Sequence, residues 1–278
     1  MNHQYSEATQ TAESYYNNHE TDRIYTLLWG GEHIHFGIYL QPDDSLAIAS
    51  QRTVETLAAR LQTINSTSKV IDVGAGYGGA ARYLAQHYGC RVSCLNLSDL
   101  QNQRNSEINQ SRNLSDRIEV TQGDFENIPY GDRSFDIAWS QDALVHSGNR
   151  RRVLEEMRRI LKSSGELIFT DTLRDHDCPL EQLQPAFNRL QIRDMGSFHF
   201  YQTTLSALGF EEIKVIDLSH HVSTHYIRFR DALLNRYEEI IDITSKTAID
   251  NALQSIEPWI DLYKKGNLQW GLFHYSLP

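Results

Sequence analysis

The sequence is poor in cysteine, lacks long apolar runs and has no excess of basic residues. Its three cysteines, Cys90, Cys94 and Cys178, do not have the spacing of a metal site, and we interpret Cys90 and Cys94 as buried thiols beside a strand. No apolar run approaches the roughly 18 residues that cross a bilayer, and the polar N-terminus lacks the basic and apolar regions of a signal peptide. A net charge of −10 argues against nucleic acid as a partner. These absences predict a cytoplasmic protein without a membrane segment.

A strand, a glycine turn and a helix follow one another from residue 69. Residues 69–73 are mostly apolar and β-branched, Gly74 and Gly76 follow, and the helical run AARYLAQHY begins after Gly78 and Gly79. Glycines permit positive φ angles and close approach of a ligand to the backbone. The free N–H groups of the helix N-terminus favour a polar or anionic ligand. A ligand-free glycine turn is the alternative.

The glycine spacing fits two kinds of nucleotide site. Gly74, Gly76 and Gly79 match the dinucleotide pattern G-x-G-x-x-G, whereas Asp72 followed by G-x-G-x-G resembles motif I of the S-adenosylmethionine-dependent methyltransferases. Asp72 favours the second interpretation. Asn96 also disfavours a nicotinamide oxidoreductase, because it stands where an acid holds the ribose hydroxyls in such folds.

Strands and helices alternate between residues 69 and 170. The predicted strands are 69–73, 91–95, 118–121, 134–139 and 166–170, with helices 99–113 and 150–161 among the connections. This alternation predicts an α/β fold with a doubly wound, mostly parallel sheet. The further strands 212–217 and 269–275 are predicted to add an antiparallel edge pair, giving seven strands.

The segment before the glycine turn is predicted to be a helical cap. Helical periodicity covers residues 5–29, with a break at Asn17-Asn18, and a second helix is predicted from Asp43–Ser45 to about Ile64. Later in the chain, helices are predicted over 179–209 and 222–266.

We predict one domain over residues 1–278, because the sequence shows neither repeats nor low-complexity linkers. Residues 1–64 would form the cap, residues 65–220 and 267–278 a Rossmann-like core, and residues 221–266 a helical insertion.

Polar side chains stand at the carboxyl ends of the predicted strands. They are Asp72, Asn96, Asp124, the segment Ser140–Asp142 and Asp171. In a parallel sheet these ends meet at one edge, where ligands bind. Asp124 with Phe125 suits adenine, because the carboxylate can accept from its amino group and the ring can stack.

Longer stretches extend the resemblance over nearly the whole chain. It is similar to the sarcosine/dimethylglycine N-methyltransferases, class I S-adenosylmethionine-dependent methyltransferases of glycine betaine synthesis. The matching stretches are YTLLWGGEHIHFGIY (25–39), RTVETL (52–57), IDVGAGYGGAARYLAQHYGC (71–90), LNLS (95–98), AWSQDALVHS (138–147), GELIFTD (165–171), HDCP (176–179), LGFEEI (208–213) and GNLQWGLFHY (266–275). The segments WGGE-x-IH, WSQD and LQWG are more specific than the glycine motif.

The resemblance implies S-adenosyl-L-methionine as cofactor, S-adenosyl-L-homocysteine as its product and a small amino acid as methyl acceptor. With the strand ends, it predicts these cofactor-binding residues: Asp72, Gly74, Ala75, Gly76, Asn96, Leu97, Gln101, Asp124, Phe125, Ser140 and Gln141. Leu97 and Gln101 lie in a stretch that also resembles the adenosine-contacting loop of the cyclopropane synthases.

Aromatic faces stabilise a methylated ammonium group, which has no N–H to donate once it is quaternary. The predicted substrate-binding residues are Tyr25, Trp29, Trp139, Asp142, Tyr201 and Trp270, with burial in the core as the alternative for each aromatic one. His35, Gln141 and His146 are the predicted catalytic residues, because they could orient the amine or accept its proton.

Three points of substrate recognition stay open. The family reads Asp-Pro-Met where this chain has Asp171-Thr172-Leu173, on a predicted turn, which favours the alternative of another small amine, carbon or oxygen acceptor. Arg193 and Arg228 are both possible partners of a substrate carboxylate. The histidines 220, 221 and 225 are interpreted as a helix face or lid, and no metal is predicted.

A non-catalytic protein that binds S-adenosylmethionine is the remaining alternative from another functional class. For an enzyme of this family the expected state is a monomer or homodimer.

Overall fold

The computed structural model describes residues 5–278. Seven strands form one sheet in the order β3-β2-β1-β4-β5-β7-β6, in which β7 runs antiparallel to its neighbours. The strands are β1 (Lys69–Val73), β2 (Arg91–Asn96), β3 (Ile118–Gln122), β4 (Phe135–Gln141), β5 (Leu161–Arg174), β6 (Glu211–Asp217) and β7 (Leu268–Ser276). The predicted doubly wound, mostly parallel seven-stranded sheet is therefore confirmed.

Helices cover the sheet and the edge where its parallel strands end. They are α1 (Glu7–Tyr16), α2 (His19–Trp29), α3 (Leu46–Ala58), α4 (Gly79–Tyr88), α5 (Asp99–Ser111), α6 (Arg150–Ile160), α7 (Gln184–Leu190), α8 (Phe198–Ala207), α9 (His220–Asn235), α10 (Tyr237–Ile241) and α11 (Lys246–Lys264). The helices predicted before residue 64 and over 222–266 exist, and the domain boundaries drawn from them stay a prediction. No helix of the described part is long and apolar enough to cross a membrane.

Alternating side chains of the strands feed two apolar layers. Val70, Trp139 and Ile168 lie in the larger cluster, whereas Ile71 and Phe169 lie in the other. Successive side chains of a strand point to opposite faces, so strands buried on both faces read as continuous apolar runs. This explains why the strands were visible in the sequence.

Two predicted boundaries were wrong, and tertiary contacts account for both. The helix expected to reach Ile64 ends at Ala58, because the Glu166 carboxylate accepts the N–H groups of Gln62 (3.0 Å) and Thr63 (2.7 Å) instead. The helical residues predicted over 222–266 form three helices, α9, α10 and α11, of which α11 is capped by Ser245. Residues 171–173 are not a turn but part of β5, where they pair with β7.

Buried polar contacts fasten the cap to the core. The buried carboxylate of Asp22 on α2 accepts from the Tyr77 hydroxyl at 2.6 Å and pairs with Arg104 at 2.6 Å. Glu32 pairs with the buried guanidinium of Arg82 at 2.8 Å. These bonds hold the cap over the carboxyl ends of β1 and β2.

Candidate active site

Two adjoining cavities lie at the carboxyl ends of the parallel strands. The first, which we call the cofactor cavity, has a volume of about 940 Å³ including the space that opens to solvent. Its lining includes Asp72, Gly74, Ala75, Gly76, Asn96, Leu97, Gln101, Asp124, Phe125, Gln141, Asp142, His35 and His146. The predicted edge residues are thus brought together, apart from Ser140 and Asp171.

The glycine turn forms the floor of the cofactor cavity. Gly74 and Gly76 have φ angles of 78° and 53°, which residues with a Cβ rarely adopt. The Gly74 N–H donates to the Leu95 carbonyl at 2.8 Å, so the turn is tied to β2. A Cβ at Gly74 would overlap the Cβ of Ala143. Glycine at this position therefore lets the turn lie directly under the loop that follows β4.

Besides Nε2 of His35, two buried polar atoms in this cavity have no partner among residues 5–278. They are Oδ2 of Asp72 and Nε2 of Gln141, whose Oε1 accepts from Trp139 Nε1 at 3.1 Å. Burial raises the pKa of Asp72 to about 7. A buried polar atom without a partner is costly, so these two atoms are suited to a bound polar ligand. A buried acceptor and a buried donor in the same cavity fit an amino-acid group such as the methionine part of S-adenosylmethionine.

The far end of the cavity suits a nucleoside. Asn96 Nδ2 donates to Gln101 Oε1 at 3.1 Å, and the buried pair lines the cavity next to Leu97. Asp124 accepts from Thr9 of α1 at 3.3 Å, and half-buried Phe125 lies beside it. Side-chain amides for hydroxyls and a ring for stacking are what a ribose and an adenine require. The residues present therefore fit S-adenosylmethionine along the whole cavity.

The second cavity, which we call the aromatic cavity, has a volume of about 630 Å³. Helices α1, α2, α7, α9 and α11 supply most of its wall. The lining is Tyr15, Tyr16, Tyr25, Trp29, Ile34, His35, Phe36, Asp142, Val145, His146, Thr172, Arg189, Leu190, His225, Tyr226, Phe229 and Trp259. The Trp29 ring centroid lies 5.3 Å from that of Tyr25 and 5.0 Å from that of Phe229.

Arg189 carries the positive charge in this aromatic wall. Its guanidinium carbon lies 5.5 Å from the ring centroid of Tyr226 and 5.9 Å from that of Trp259. It also donates to the Ser255 hydroxyl. Among the described residues that line the aromatic cavity, it is the one Lys or Arg. Rings and a guanidinium together suit a ligand with a cationic and an anionic end.

Five residues line both cavities and form the wall at which the two cavities meet: Tyr16, Ile34, His35, Asp142 and His146. Asp142 has a φ of 51°, a strained conformation for a residue other than glycine. Its carboxylate accepts from the Phe36 N–H at 2.9 Å and from Trp270 Nε1 at 2.8 Å. Asp142 thus connects the cap segment, the loop after β4 and strand β7 at one point of this wall.

The two wall histidines are neutral. Burial lowers the pKa of His35 to about 4 and that of His146 to about 4. His35 Nδ1 donates to the Phe36 carbonyl at 3.0 Å, so its Nε2 carries the lone pair, and that atom has no partner within the described chain. His146 Nε2 shares a hydrogen bond of 2.8 Å with the Tyr16 hydroxyl. Both imidazole rings therefore present a neutral polar edge to a ligand bound where the two cavities meet.

We expect these histidines to make the protein less stable in mild acid. Burial lowers the pKa of five histidines from 6.5 to about 3 or about 4: His33, His35, His146, His221 and His225. As the pH falls from 6.5 towards 4, the unfolded chain binds protons at five imidazoles that stay neutral in the folded one, and stability is lost. Four carboxyl groups act in the opposite direction over this window: burial raises the pKa of Asp72 and Asp171 to about 7 and also raises the pKa of Asp124 and Asp142. The five histidines outnumber them, so the net effect of acid is a loss of stability.

The melting temperature should therefore fall between pH 7.5 and pH 5.5 in matched buffers, by about 2–4 °C for each kcal/mol of net stability lost. His221→Asn supplies the control, because an amide oxygen can still accept the Tyr39 N–H that His221 Nδ1 accepts at 3.3 Å. It should show a shallower pH dependence. A melting temperature that does not change over this range would contradict the assignment.

Four predicted site residues lie outside both cavities. Trp139 and Trp270 are buried behind the wall, where they donate to Gln141 and Asp142. The Ser140 hydroxyl donates to the Val73 carbonyl at 2.7 Å. Tyr201 lies in the other apolar layer and donates to Asp171 at 2.6 Å. Their roles in binding stay predictions. In the structure, these four side chains donate hydrogen bonds to other residues of the protein and do not line either cavity.

Sequence reasoning missed much of the aromatic cavity, including Tyr15, Tyr226, Phe229, Trp259 and Arg189. The arginines considered from the sequence lie elsewhere: exposed Arg193 pairs with Glu7, and Arg228 lies outside the cavity. Of the histidines on α9, His225 lines the cavity and its Nδ1 lies 3.0 Å from the Tyr39 hydroxyl. Within residues 5–278, no three His, Cys, Asp or Glu side chains form a group that could hold a metal.

Comparison with known proteins identifies the family. Residues 71–169 match the methyltransferase domain family. The chain is 42% identical to the sarcosine/dimethylglycine N-methyltransferase of Halorhodospira halochloris, over 97% of this chain and 96% of that protein. It is 39% identical to the enzyme of the same name from Aphanothece halophytica, over 96% of each.

A solved structure agrees with these relatives. The crystal structure of a protein assigned as a sarcosine dimethylglycine methyltransferase, from Galdieria sulphuraria, superposes with a TM-score of 0.89 at 36% identity. The match covers 94% of this chain and 98% of the other. The chain therefore belongs to the sarcosine/dimethylglycine N-methyltransferase family of S-adenosylmethionine-dependent enzymes.

Proposed function

We propose that this enzyme transfers a methyl group to the nitrogen of sarcosine and dimethylglycine, with glycine betaine as the final product. One observation carries the proposal: an aromatic cavity with a single arginine adjoins a cavity that fits S-adenosylmethionine. Both acceptors combine a methylated amine with a carboxylate, and these are the two groups that such a cavity recognises.

The cofactor cavity supplies the methyl donor side of the reaction. When bound, S-adenosylmethionine supplies the methyl group from its sulfonium and leaves as S-adenosylhomocysteine. Asp72 and Gln141, with their unpartnered polar atoms, would hold the amino-acid end, and the segments around Asn96 and Asp124 the nucleoside. The wall between the cavities is then the place where methyl group and amine meet.

The aromatic rings bind the amine end of the acceptor. Each ring face contributes about 0.5–2 kcal/mol towards a cation, and the amine gains positive charge as the new N–C bond forms. Trp29, Tyr25 and Phe229 pack against one another, with ring centroids 5.0–6.4 Å apart, and together present one aromatic surface to a small ammonium group. Because the transition state carries more positive charge than the neutral amine, these rings bind the transition state more strongly. They therefore lower the barrier to methyl transfer in addition to binding the acceptor.

The amine must lose its proton before it attacks. His35 Nε2 offers a buried lone pair in the wall, and His146 shares its hydrogen bond with Tyr16. We assign to His35 a hydrogen bond that its lone pair accepts from the N–H of the ammonium form, or of neutral sarcosine; the ammonium proton then passes to water. Neutral dimethylglycine has no N–H and is held by the rings alone. His146 positions Tyr16 through their hydrogen bond. Holding nucleophile and methyl carbon in line contributes several orders of magnitude to the rate.

A different small amine is the second candidate acceptor. Thr172, which replaces the family's proline, lines the aromatic cavity, whereas Leu173 is buried in the core. This substitution changes one position of the wall that faces the acceptor.

Labelled S-adenosylmethionine with a panel of acceptors tests the proposal. The panel contains glycine, sarcosine, dimethylglycine and small amines without a carboxylate. Label is expected in dimethylglycine and glycine betaine. Transfer only to other amines would establish the second candidate, and cofactor binding without transfer would indicate a non-catalytic protein.

Replacing Trp29 should weaken acceptor binding selectively. Trp29→Leu keeps apolar bulk but removes the aromatic face, so KM for dimethylglycine should rise by about 2- to 30-fold, corresponding to one cation–π contact. Trp29→Phe is the matched control and should retain most of the affinity. If Leu and Phe gave equal KM values, the cation–π role of Trp29 would be refuted.

The remaining finer assignments are a cytoplasmic location and a monomer or homodimer. Both stay predictions.

A further inference from the structure

We propose that the methyl acceptor enters and leaves through a groove of its own, separate from the opening of the cofactor cavity. The proposal rests on the proposed function in that it takes the aromatic cavity as the acceptor site. The groove, which we call the acceptor groove, lies between α2, α7 and α11 and has a volume of about 1280 Å³ including open space. Nothing in the methylation chemistry itself requires this second route.

Shared lining residues place the three spaces in a row. The acceptor groove and the aromatic cavity share Tyr15, Tyr25, Arg189 and Phe229. The aromatic cavity in turn meets the cofactor cavity at the wall that contains His35 and Asp142. Among the described residues, the groove and the cofactor cavity have no lining residue in common. A molecule in the groove therefore reaches the aromatic cavity without passing the cofactor.

The groove has the chemistry of a path for a zwitterion. Its wall is rich in hydroxyl and carboxamide side chains, such as Ser14, Asn188 and Asn251, which hydrate an amino acid in place of water. Glu20, its acidic residue, already accepts the Ser245 N–H at 3.0 Å. The first residues of α2 and α11 also face the groove, and helix N-termini are positive. Arg189 is the one Lys or Arg among the described residues that line the groove, and it attracts a carboxylate to the inner end.

The neck between groove and aromatic cavity sets the orientation of the acceptor. Arg189 lies there, and so does the pair of hydroxyls of Tyr15 and Tyr25, 3.1 Å apart. A carboxylate held by Arg189 at the neck leaves the amine end to point inward, to the rings and the wall. The same arginine would thus attract the acceptor, orient it and keep it while the cofactor exchanges through the other opening.

A large side chain in the groove tests this route. Ala252 is half-buried and lines the groove, whereas Gln254 is exposed on the same helix outside it. Ala252→Trp should lower kcat/KM for the acceptor by about tenfold or more and leave the dissociation constant of S-adenosylhomocysteine unchanged. Gln254→Trp is the matched control and should change neither quantity.

A second variant guards against a folding defect of Ala252→Trp. Asn251→Cys places a thiol on an exposed groove residue, and labelling with methanethiosulfonates of increasing size should lower kcat/KM stepwise. The labelled wild type serves as control, because its three cysteines are buried.

The assay uses whichever acceptor of the panel the wild type methylates. The panel itself then shows whether the acceptor assignment is wrong, and the groove variants show separately whether the route is wrong. An unchanged kcat/KM in both blocked variants, or a loss confined to cofactor binding, would overturn the separate route.

Discussion

Arg189→Met will lower kcat/KM for dimethylglycine by about 30- to 5000-fold, while the affinity for S-adenosylhomocysteine stays unchanged. The estimate corresponds to the roughly 2–5 kcal/mol lost when one partner of a buried charge pair is removed. Methionine conserves much of the apolar stem that packs on Tyr226 and Trp259, so the charge is the main change. Steady-state kinetics with each substrate varied in turn, together with calorimetric titration of the cofactor product, measure the two quantities.

Arg193→Met is the matched control for this experiment. Arg193 is exposed and its partner Glu7 is exposed as well, so its loss should leave the kinetics unchanged. N,N-dimethylethanolamine, which carries an uncharged hydroxymethyl group in place of the carboxylate, gives a second check. If Arg189 holds the carboxylate, its replacement should hardly affect turnover of this poorer acceptor. An equal loss with both acceptors would assign Arg189 to cavity structure alone.

Gly74→Ala will weaken cofactor binding and lower the single-turnover rate of methyl transfer by about 100-fold or more. The added methyl would overlap the Cβ of Ala143, and both atoms are attached directly to backbone, so the glycine turn and the loop after β4 must move apart. That loop carries Gln141 and Asp142 into the two cavities. A displacement of about 1 Å is enough to reduce the rate about 100-fold. Titration with S-adenosylhomocysteine and single-turnover kinetics report the loss.

Gly209→Ala is the matched control, because it introduces the same backbone strain as Gly74→Ala without a steric overlap. Gly209 has a φ of 82°, close to the 78° of Gly74, but a Cβ there meets nothing within 4 Å. Both variants should lose about 1–2 kcal/mol of unfolding free energy from the positive φ. Only Gly74→Ala should lose the cofactor. Normal cofactor binding by Gly74→Ala would show that the turn tolerates a side chain. It would contradict the idea that the close approach of Gly74 to Ala143 is needed for cofactor binding.

Local sequence pattern was enough for the sheet and for the cofactor side of the site. Strands buried on both faces are continuous apolar runs, and Asp72 with the glycines is contiguous in the chain. The edge residues could be collected because parallel strands end at one edge. The predictions of helix ends were less successful, since the end of α3 depends on Glu166, more than 100 residues later.

The acceptor side depends on contacts that no local pattern contains. Asp142 accepts from Trp270, 128 residues later, and from Phe36, 106 residues earlier. Arg189 looks like any other arginine in the sequence, and it becomes distinct only when α7 packs against α11 and brings it among the rings of Tyr226 and Trp259. The arginines considered from the sequence, Arg193 and Arg228, could not be distinguished from Arg189, because the sequence does not show which arginine packs against aromatic rings.

The sequence by itself therefore determined the sheet, the family and the cofactor. These follow from short-range periodicity, from a turn whose geometry only glycine allows, and from contiguous motifs. The tertiary structure decided the acceptor cavity, its arginine and its groove. They are formed by side chains from α1, α2, α7, α9 and α11, helices far apart in the chain. Helix periodicity shows that a face is buried but not which other helix covers it, so only packing defines the cavity between them.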